Sequence, residues 1–544
     1  MHAERRQGGW HARGGVTSPA ARSALETAGV AVAAGALYLP FMSIQYNPNG
    51  VNEAINVELG GASLLSPNHM AYRPLGRVLW AAAVELGFDG GSLPILQLLS
   101  ALSGVLAVTL AFVAFRSVAR HTGSAAIGAA FLATSCYFWA SSVDAFYMPL
   151  AAALAAAALA VAVARPPTAL TVAAASVLTA AAILVWQANL FLVVPIGVCV
   201  LAASARERVA AGLVRSVFYA LLTLVLTAAS YVAVAVAVFD RRTPAAVLDW
   251  FSNYAGARLP QWGTWGLERI VDAARSGVDS LVALRTVGGA RRLFEPETTG
   301  VSVLLAAALA SLVVLVGASG RAVLKARDDR PQRLGAVLWL GLGYASFLPF
   351  LIWWDPFEPR WFAVPNLFLA GAVAVALGGA GAGRRWRLTA AACVAVIALS
   401  TFRVAILPQH TETSLRQRRA ACVADHLGDG DVFIATDWRW NAYLTYFHGV
   451  RVVSTIGLAP RLEGPAAVVD RVRSTVARAR AAGANAYMVD PGFYPRWHMV
   501  WLEAQTGLTR QALESVGGEP AFECEGVPLL VLGGSPPRSG APRP

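Results

Sequence analysis

The sequence predicts an α-helical polytopic membrane protein that ends in a small α/β unit. Three observations carry that expectation. Of 544 residues, 56% are hydrophobic and only 14% charged, with mean hydropathy +0.53, whereas an ordinary soluble domain carries roughly 25% charged residues. Apolar runs of membrane-spanning length recur from Ala28 to Leu407, and after Pro408 the pattern changes to short β-rich runs alternating with helical stretches.

About eleven segments are long and apolar enough to span, allowing for some departure from the usual ~20 residues. They lie near 27–45, 93–116, 123–141, 146–164, 169–186, 189–205, 214–239, 300–318, 334–353, 361–380 and 387–407. The opening "MHAERRQGGWHARGG" is too polar for a cleaved leader, so residues 1–26 read as a cytoplasmic tail before a retained anchor. Pro74 to Leu86 is shorter and suits a helix lying along the interface.

Orientation follows from arginine. With the N-terminus inside, the short inner loops hold Arg116 and Arg120, Arg165, the group Arg206, Arg208 and Arg215, the run "RAVLKARDDRPQR", and "RRWR" at 384–387. Each is basic, as the positive-inside rule requires. The net charge of +12, with Lys325 the only lysine, is thereby explained by topology and calls for no nucleic-acid partner. The outer face then receives the loops 46–92 and 240–299, Asp144, "WWDPFEPR" and everything after 408. In the second long loop, Trp250, Trp262 and Trp265 read as interfacial anchors.

In the C-terminal part, "DVFIAT", "VRVVS", "NAYMVD" and "VPLLVLGG" alternate with "AAVVDRVRSTVARARAAG", the pattern of a mainly parallel sheet over 408–532. No glycine-rich phosphate loop opens its helices. The last residues, 533–544, have a disordered composition. Cys136, Cys199 and Cys393 fall in or beside apolar runs and read as small hydrophobes. For Cys422 and Cys524 a disulfide stays open, with free thiols the favoured reading, because sequence does not give their separation.

Between the first span and the second stands "NPNGVNEAINVELGGASLLSPNHMAYRPLG", where Glu53, Glu58 and His69 interrupt an otherwise apolar chain. An anchor helix, an outer loop with an acidic position, and a histidine–tyrosine–proline passage resemble the GT-C superfamily of polyprenyl-phosphate-sugar-dependent glycosyltransferases, such as aminoarabinose transferases and protein O-mannosyltransferases. Asn52-Glu53 stands where that family carries an Asp-Glu pair. "FEPRWFAVPNLFLAGAVA" resembles the entry to a late family helix, with Glu358 and Arg360 at the matching positions and Trp361 in place of tyrosine. "SSVDAFYMPLAAALAAA" is similar to an outer acidic position before the fourth helix, with Asp144 and Tyr147.

The resemblance implies a GT-C-like membrane domain over 27–407 and an inverting transfer of a sugar from a polyprenyl phosphate to a lipid, glycan or protein acceptor. The chemistry asks for a carboxylate to take the acceptor's proton and a guanidinium to hold the departing phosphate. Glu53 is the first candidate base, followed by Glu58 and Asp144. Arg360 and His69 are candidates for the donor phosphate, while Asn52, Tyr72, Tyr147 and Glu358 are candidate substrate contacts.

Each has a structural alternative. Glu53 and Glu58 can be solvated positions of an interfacial helix, His69 a loop-stabilising residue, Asp144 a helix N-cap, and Arg360 the partner of Glu358 or Asp355. No cofactor is called for, and a divalent metal is neither required nor excluded. The expected location is the inner membrane, with the site and C-terminal domain extracytoplasmic. The competing readings are a transporter or flippase of lipid-linked glycans, which would place charges nearer the bilayer midplane, and a noncatalytic envelope-assembly protein.

Overall fold

The computed structural model describes residues 18–164, 167–204, 208–254, 257–258, 263, 265–284, 299–325, 330–379, 383–458 and 464–533. Residues 1–17 of the tail, Arg165, Arg206, Trp262, the central part of the "RAVLKARDDRPQR" run and the terminal residues from Gly534 lie outside them.

Every expected span finds a helix. Among the described residues, seven are long and apolar enough to cross a membrane, and a further pair, Thr122–Thr134 and Cys136–Ser142, does so with a 68° bend. Met148–Val163, Ala169–Val185 and Pro365–Leu377 are shorter apolar helices. The bend interrupts the straight span expected at 123–141. There, the Thr134 and Ser135 hydroxyls bond to the carbonyls of Ala130 and Leu132, and Ser135 is extended at φ −61°, ψ 136°. Such hydroxyls compete with the helical backbone, and here they accompany a break beyond which Tyr137 and Ser141 line a cavity.

Helix Ser92–Ala119 packs along Met148–Ala164 through alanines on both, since small residues allow close backbone approach where apolar lipid gives little drive to associate. The interfacial helix expected at 74–86 is Tyr72–Glu85. It buries Tyr72, Arg73 and Gly76 and leaves Val78, Val84 and Leu86 exposed, an apolar outer face suited to lipid. The last span, Arg384–Thr401, continues through a π-helical turn, Phe402–Ile406, into Leu407–Thr411.

The C-terminal unit holds a five-stranded sheet: β1 (Val432–Ala435), β2 (Arg451–Ser454), β3 (Ala486–Val489), β4 (Glu519–Cys524) and β5 (Val527–Leu532), in the order β2-β1-β3-β5-β4. β1 pairs with β2 and β3 in parallel, whereas β5 is antiparallel to both β3 and β4. The expected mainly parallel sheet is thus mixed. β4 escaped the sequence reading because "EPAFEC" is half-exposed at an edge and carries a proline and two glutamates, features typical of protected edge strands.

Cys422 and Cys524 form a disulfide across 102 residues, joining helix Leu415–His426 to the end of β4. This corrects the free-thiol reading: the fold of the sheet brings the two Cα atoms to 5.7 Å, a proximity that spacing in sequence cannot reveal. Cys136, Cys199 and Cys393 are buried and take part in no disulfide among the described residues.

Candidate active site

The first outer loop builds one wall. Asn47 caps helix Pro48–Leu59 by accepting from Asn49 N at 2.9 Å, while its own N–H donates to Asp144 Oδ2 at 2.8 Å. Asp144 Oδ1 accepts from Ala145 N at 2.7 Å. The turn before helix Met148–Ala164 is therefore tied to the start of the loop helix. Gly50 permits the approach, because a Cβ there would run into the Ala145 carbonyl.

The opposite wall is the passage Pro359–Phe362. Glu358 accepts from Arg360 Nε at 2.7 Å and Nη2 at 2.5 Å, a bidentate fork that fixes the guanidinium plane. The Phe146 ring lies 5.2 Å from the guanidinium carbon. Nη1 is buried and has no hydrogen-bond partner among the described residues, an arrangement that leaves one strong donor available. Arg360, Glu358, Asp144, Asn47, Tyr137 and Gln409 line a cavity of about 310 Å³. Gln409 reaches it because the last span runs on past its π-helical turn.

Burial pushes the Asp144 carboxyl up to about 6, with the two backbone N–H bonds and Arg360 pulling the other way. Asp355 is likewise raised to about 6 by burial and by the neighbouring Glu358. For Glu358, burial is outweighed by Arg360, so its carboxyl is held below its ordinary value. One carboxylate of the cavity is thus poised to exchange a proton near neutrality, and another is locked as an anion.

Glu53 and Glu58 stand elsewhere. Glu53 accepts from Arg73 Nε at 2.6 Å and Nη2 at 3.1 Å, in a pair whose side chains are 4% and 10% exposed. Burial opposes its charge, but Arg73 and then His69 more than offset this, and the carboxyl is held below its ordinary value. Glu58 accepts from Ser92 N at 2.7 Å and from Tyr446 Oη at 3.0 Å, which ties the loop helix to the C-terminal unit. Asn52 accepts from Asn56 Nδ2 through its carbonyl at 2.7 Å.

His69 sits between Val185 O, 3.3 Å from Nδ1, and the Tyr147 ring, 3.8 Å between centroids. Burial lowers its pKa to about 4, so it is a neutral ring near pH 7. Tyr72 lies edge-on to Tyr147 at 6.0 Å and 3.4 Å from Ser100 Oγ, and Tyr147 stacks over Trp361 at 6.5 Å. The structure therefore brings Asp144, Glu358 and Arg360 to one cavity. His69, Tyr72 and Tyr147 form an aromatic layer reaching it through Trp361 and Phe146.

Sequence reading missed Arg73, the partner that neutralises Glu53, and Asn47, whose backbone N–H holds Asp144. "YRPLG" contains Arg73 in plain view, yet nothing in the spacing pairs it with a glutamate twenty positions earlier. Asp279 was also missed: it is 1% exposed on helix Leu267–Leu281, which packs against the Pro359–Phe362 turn and near Tyr137.

Among the described residues, the one cluster with the spacing of metal ligands is Cys422, His426 and Cys524, and there the sulfurs are bonded to each other. Among the described residues, the acids of the cavity do not form such a group.

No family model matches the chain, and no curated protein matches it either. Among solved structures it is similar to the oligosaccharyltransferase AglB of Archaeoglobus fulgidus in complex with an inhibitory peptide and a dolichol-phosphate, at 13% identity and TM-score 0.47, over 91% of this chain and 72% of that one. It is also similar to ArnT of Cupriavidus metallidurans bound to undecaprenyl phosphate, at 13% identity and TM-score 0.39, over 94% and 98% of the two chains. What the site can do follows from its own side chains.

Proposed function

We propose that the chain is an integral membrane glycosyltransferase that moves a sugar from a polyprenyl-phosphate carrier to an acceptor hydroxyl, by in-line displacement with inversion. The observation that carries this reading is the pairing, across one cavity, of an unpartnered buried guanidinium N–H on Arg360 with the Asp144 carboxylate. Arg360 Nη1 binds the donor phosphate and stabilises the charge it gains as the glycosidic bond breaks. Glu358 holds the guanidinium in place. Asp144 takes the acceptor proton as the new bond forms, a task suited to a carboxyl whose pKa lies near working pH.

Glu53, first in line from the sequence, becomes in this reading the anchor of Arg73 and of the loop helix that positions Asp144. The site faces outside the inner membrane. The basic inner loops support that orientation, and so does the disulfide in the C-terminal unit, since disulfides persist in oxidising compartments. The first outer loop and the C-terminal unit meet through contacts such as Tyr443 Oη to Tyr46 O at 2.7 Å and Tyr446 Oη to Glu58 Oε1 at 3.0 Å. Acceptors on that side are envelope lipids, glycans or proteins.

The test is consumption of a radiolabelled polyprenyl-phosphate sugar by purified protein supplied with envelope acceptors. Turnover of the lipid-linked donor, with none of a nucleotide sugar alone, is expected. Turnover of the nucleotide sugar without lipid would contradict the assignment.

A further inference from the structure

A second cavity, of about 200 Å³, opens in the C-terminal unit between helices Leu415–His426 and Trp438–His448 and the turn at 493–498. Its wall carries Arg416, Arg419 and Arg439 with a single acid, Asp437, among the described residues. Asp437 caps its helix by accepting from Arg439 N at 2.9 Å and lies 3.7 Å from Arg439 Nη1. Arg419 donates to the backbone carbonyl of Glu525 at 2.9 and 3.1 Å. Arg416 makes no hydrogen bond or ion pair among the described residues and is exposed into the cavity.

The same wall offers flat rings. Trp440, Phe493 and Tyr494 border the space. Phe493 is 39% exposed, and Tyr494 is fixed by stacking on His498 at 4.3 Å and by accepting from Thr436 Oγ1 at 2.8 Å. An excess of guanidiniums over acids, with Arg416 outside any hydrogen bond or ion pair among the described residues, and rigid aromatic faces around one small cavity match a ligand that carries a negative charge and a ring able to pack on an aromatic face.

We propose that this cavity binds an anionic saccharide of the acceptor, its ring against Trp440 and Phe493 and its carboxylate or phosphate on Arg416 and Arg439. The proposal rests on the transferase reading above and names the acceptor class for it. Desolvation at the cavity wall, then repulsion by Arg439 and to the least extent by Arg360, lower the pKa of Arg416 from its ordinary value, while Tyr443 and Asp437 act the other way. An anion entering the cavity relieves that repulsion. Arg416 lies within electrostatic range of Arg360, which puts this cavity on the same side of the protein as the candidate active site.

Binding to purified full-length protein, measured by calorimetry without donor, tests this. The probes are a glucuronic-acid-terminated disaccharide, its glucose-terminated counterpart, glucose 6-phosphate and inorganic phosphate. The glucuronide or the sugar phosphate, whichever carries the right charge, should bind at least about tenfold more tightly than the neutral disaccharide. Arg416→Gln should lose about tenfold or more of that affinity, in line with a charge-assisted bond, and Arg416→Lys should keep part of it. Arg418→Gln, a neighbouring arginine paired with Glu525 outside the cavity, should keep all of it.

Equal binding of the neutral disaccharide, or full acidic-saccharide affinity in Arg416→Gln, overturns the proposal. Inorganic phosphate binding as tightly as glucose 6-phosphate overturns the saccharide assignment. Because the readout needs no transfer, its failure leaves donor turnover untouched. Failure of donor turnover would likewise leave this binding standing.

Discussion

Two carboxylates in this protein carry opposite assignments because their surroundings differ. Among the described residues, Asp144 receives only backbone N–H donors, and burial raises it to about 6, so it gains its proton as pH falls through that value. The proposed base is therefore ionised above about pH 6, and turnover should rise across that limb and level off above it. Glu53 is held ionised by Arg73. With its folded pKa held below the ordinary value of a glutamate, its contribution to stability is present above that ordinary value and is lost as pH falls through the folded pKa.

Removing one partner of a buried pair typically costs about 3–5 kcal/mol, so Glu53→Gln should lower the thermal midpoint of the purified protein markedly. Folded molecules of that variant should retain the acidic limb near pH 6. A midpoint unchanged from wild type would show that the pair does not hold the loop. Arg360→Ala should weaken donor binding as well as turnover, since the phosphate is charged before it departs, whereas Arg360→Lys should restore charge without the bidentate fork. Donor affinity by fluorescence or calorimetry checks both.

At the scale of elements, the first outer loop helix is the part on which the site depends. It meets the Asp144 turn through Gly50, its base through Glu53, and the C-terminal unit through Glu58 and Tyr446. Gly50→Ala should push the helix off the Ala145 carbonyl and break the Asn47 to Asp144 bond. The expected result is turnover reduced by 10-fold or more at near-normal membrane insertion, on the order seen when a catalytic group is misplaced by about 1 Å. Normal turnover in Gly50→Ala would detach the loop from the site.

The spans were legible because apolar length is written continuously into the chain. The site was legible only in part. Asp144, Glu358 and Arg360 could be named, but their meeting, the Glu53–Arg73 pair and the Cys422–Cys524 bond depend on contacts between distant segments. β4 was missed because its half-exposed edge has no two-residue alternation.

Over the whole molecule, the account needs one face of the membrane to hold the loops, the cavity and the disulfide-closed unit together. In spheroplasts, an impermeant thiol reagent should label Cys422 and Cys524 only after reduction, and without permeabilisation. Cysteine labelling that requires permeabilisation would move the site to the cytoplasmic face. The disulfide closes a loop of about 100 residues, for which chain entropy gives roughly 4–5 kcal/mol, so Cys524→Ser should lower the stability of the C-terminal unit before that of the helices.

The central claim is that Asp144 takes the acceptor proton beside a phosphate held by Arg360. The most direct measurement is single-turnover sugar transfer from a labelled polyprenyl-phosphate donor by Asp144→Asn, with donor affinity measured on the same preparation. The expected result is near wild-type donor binding with turnover lowered by something like 10²- to 10⁴-fold, the range of general-base loss, and no remaining limb near pH 6. Wild-type turnover in Asp144→Asn, with the loss found instead in correctly folded Glu53→Gln, would contradict it and return the role to Glu53.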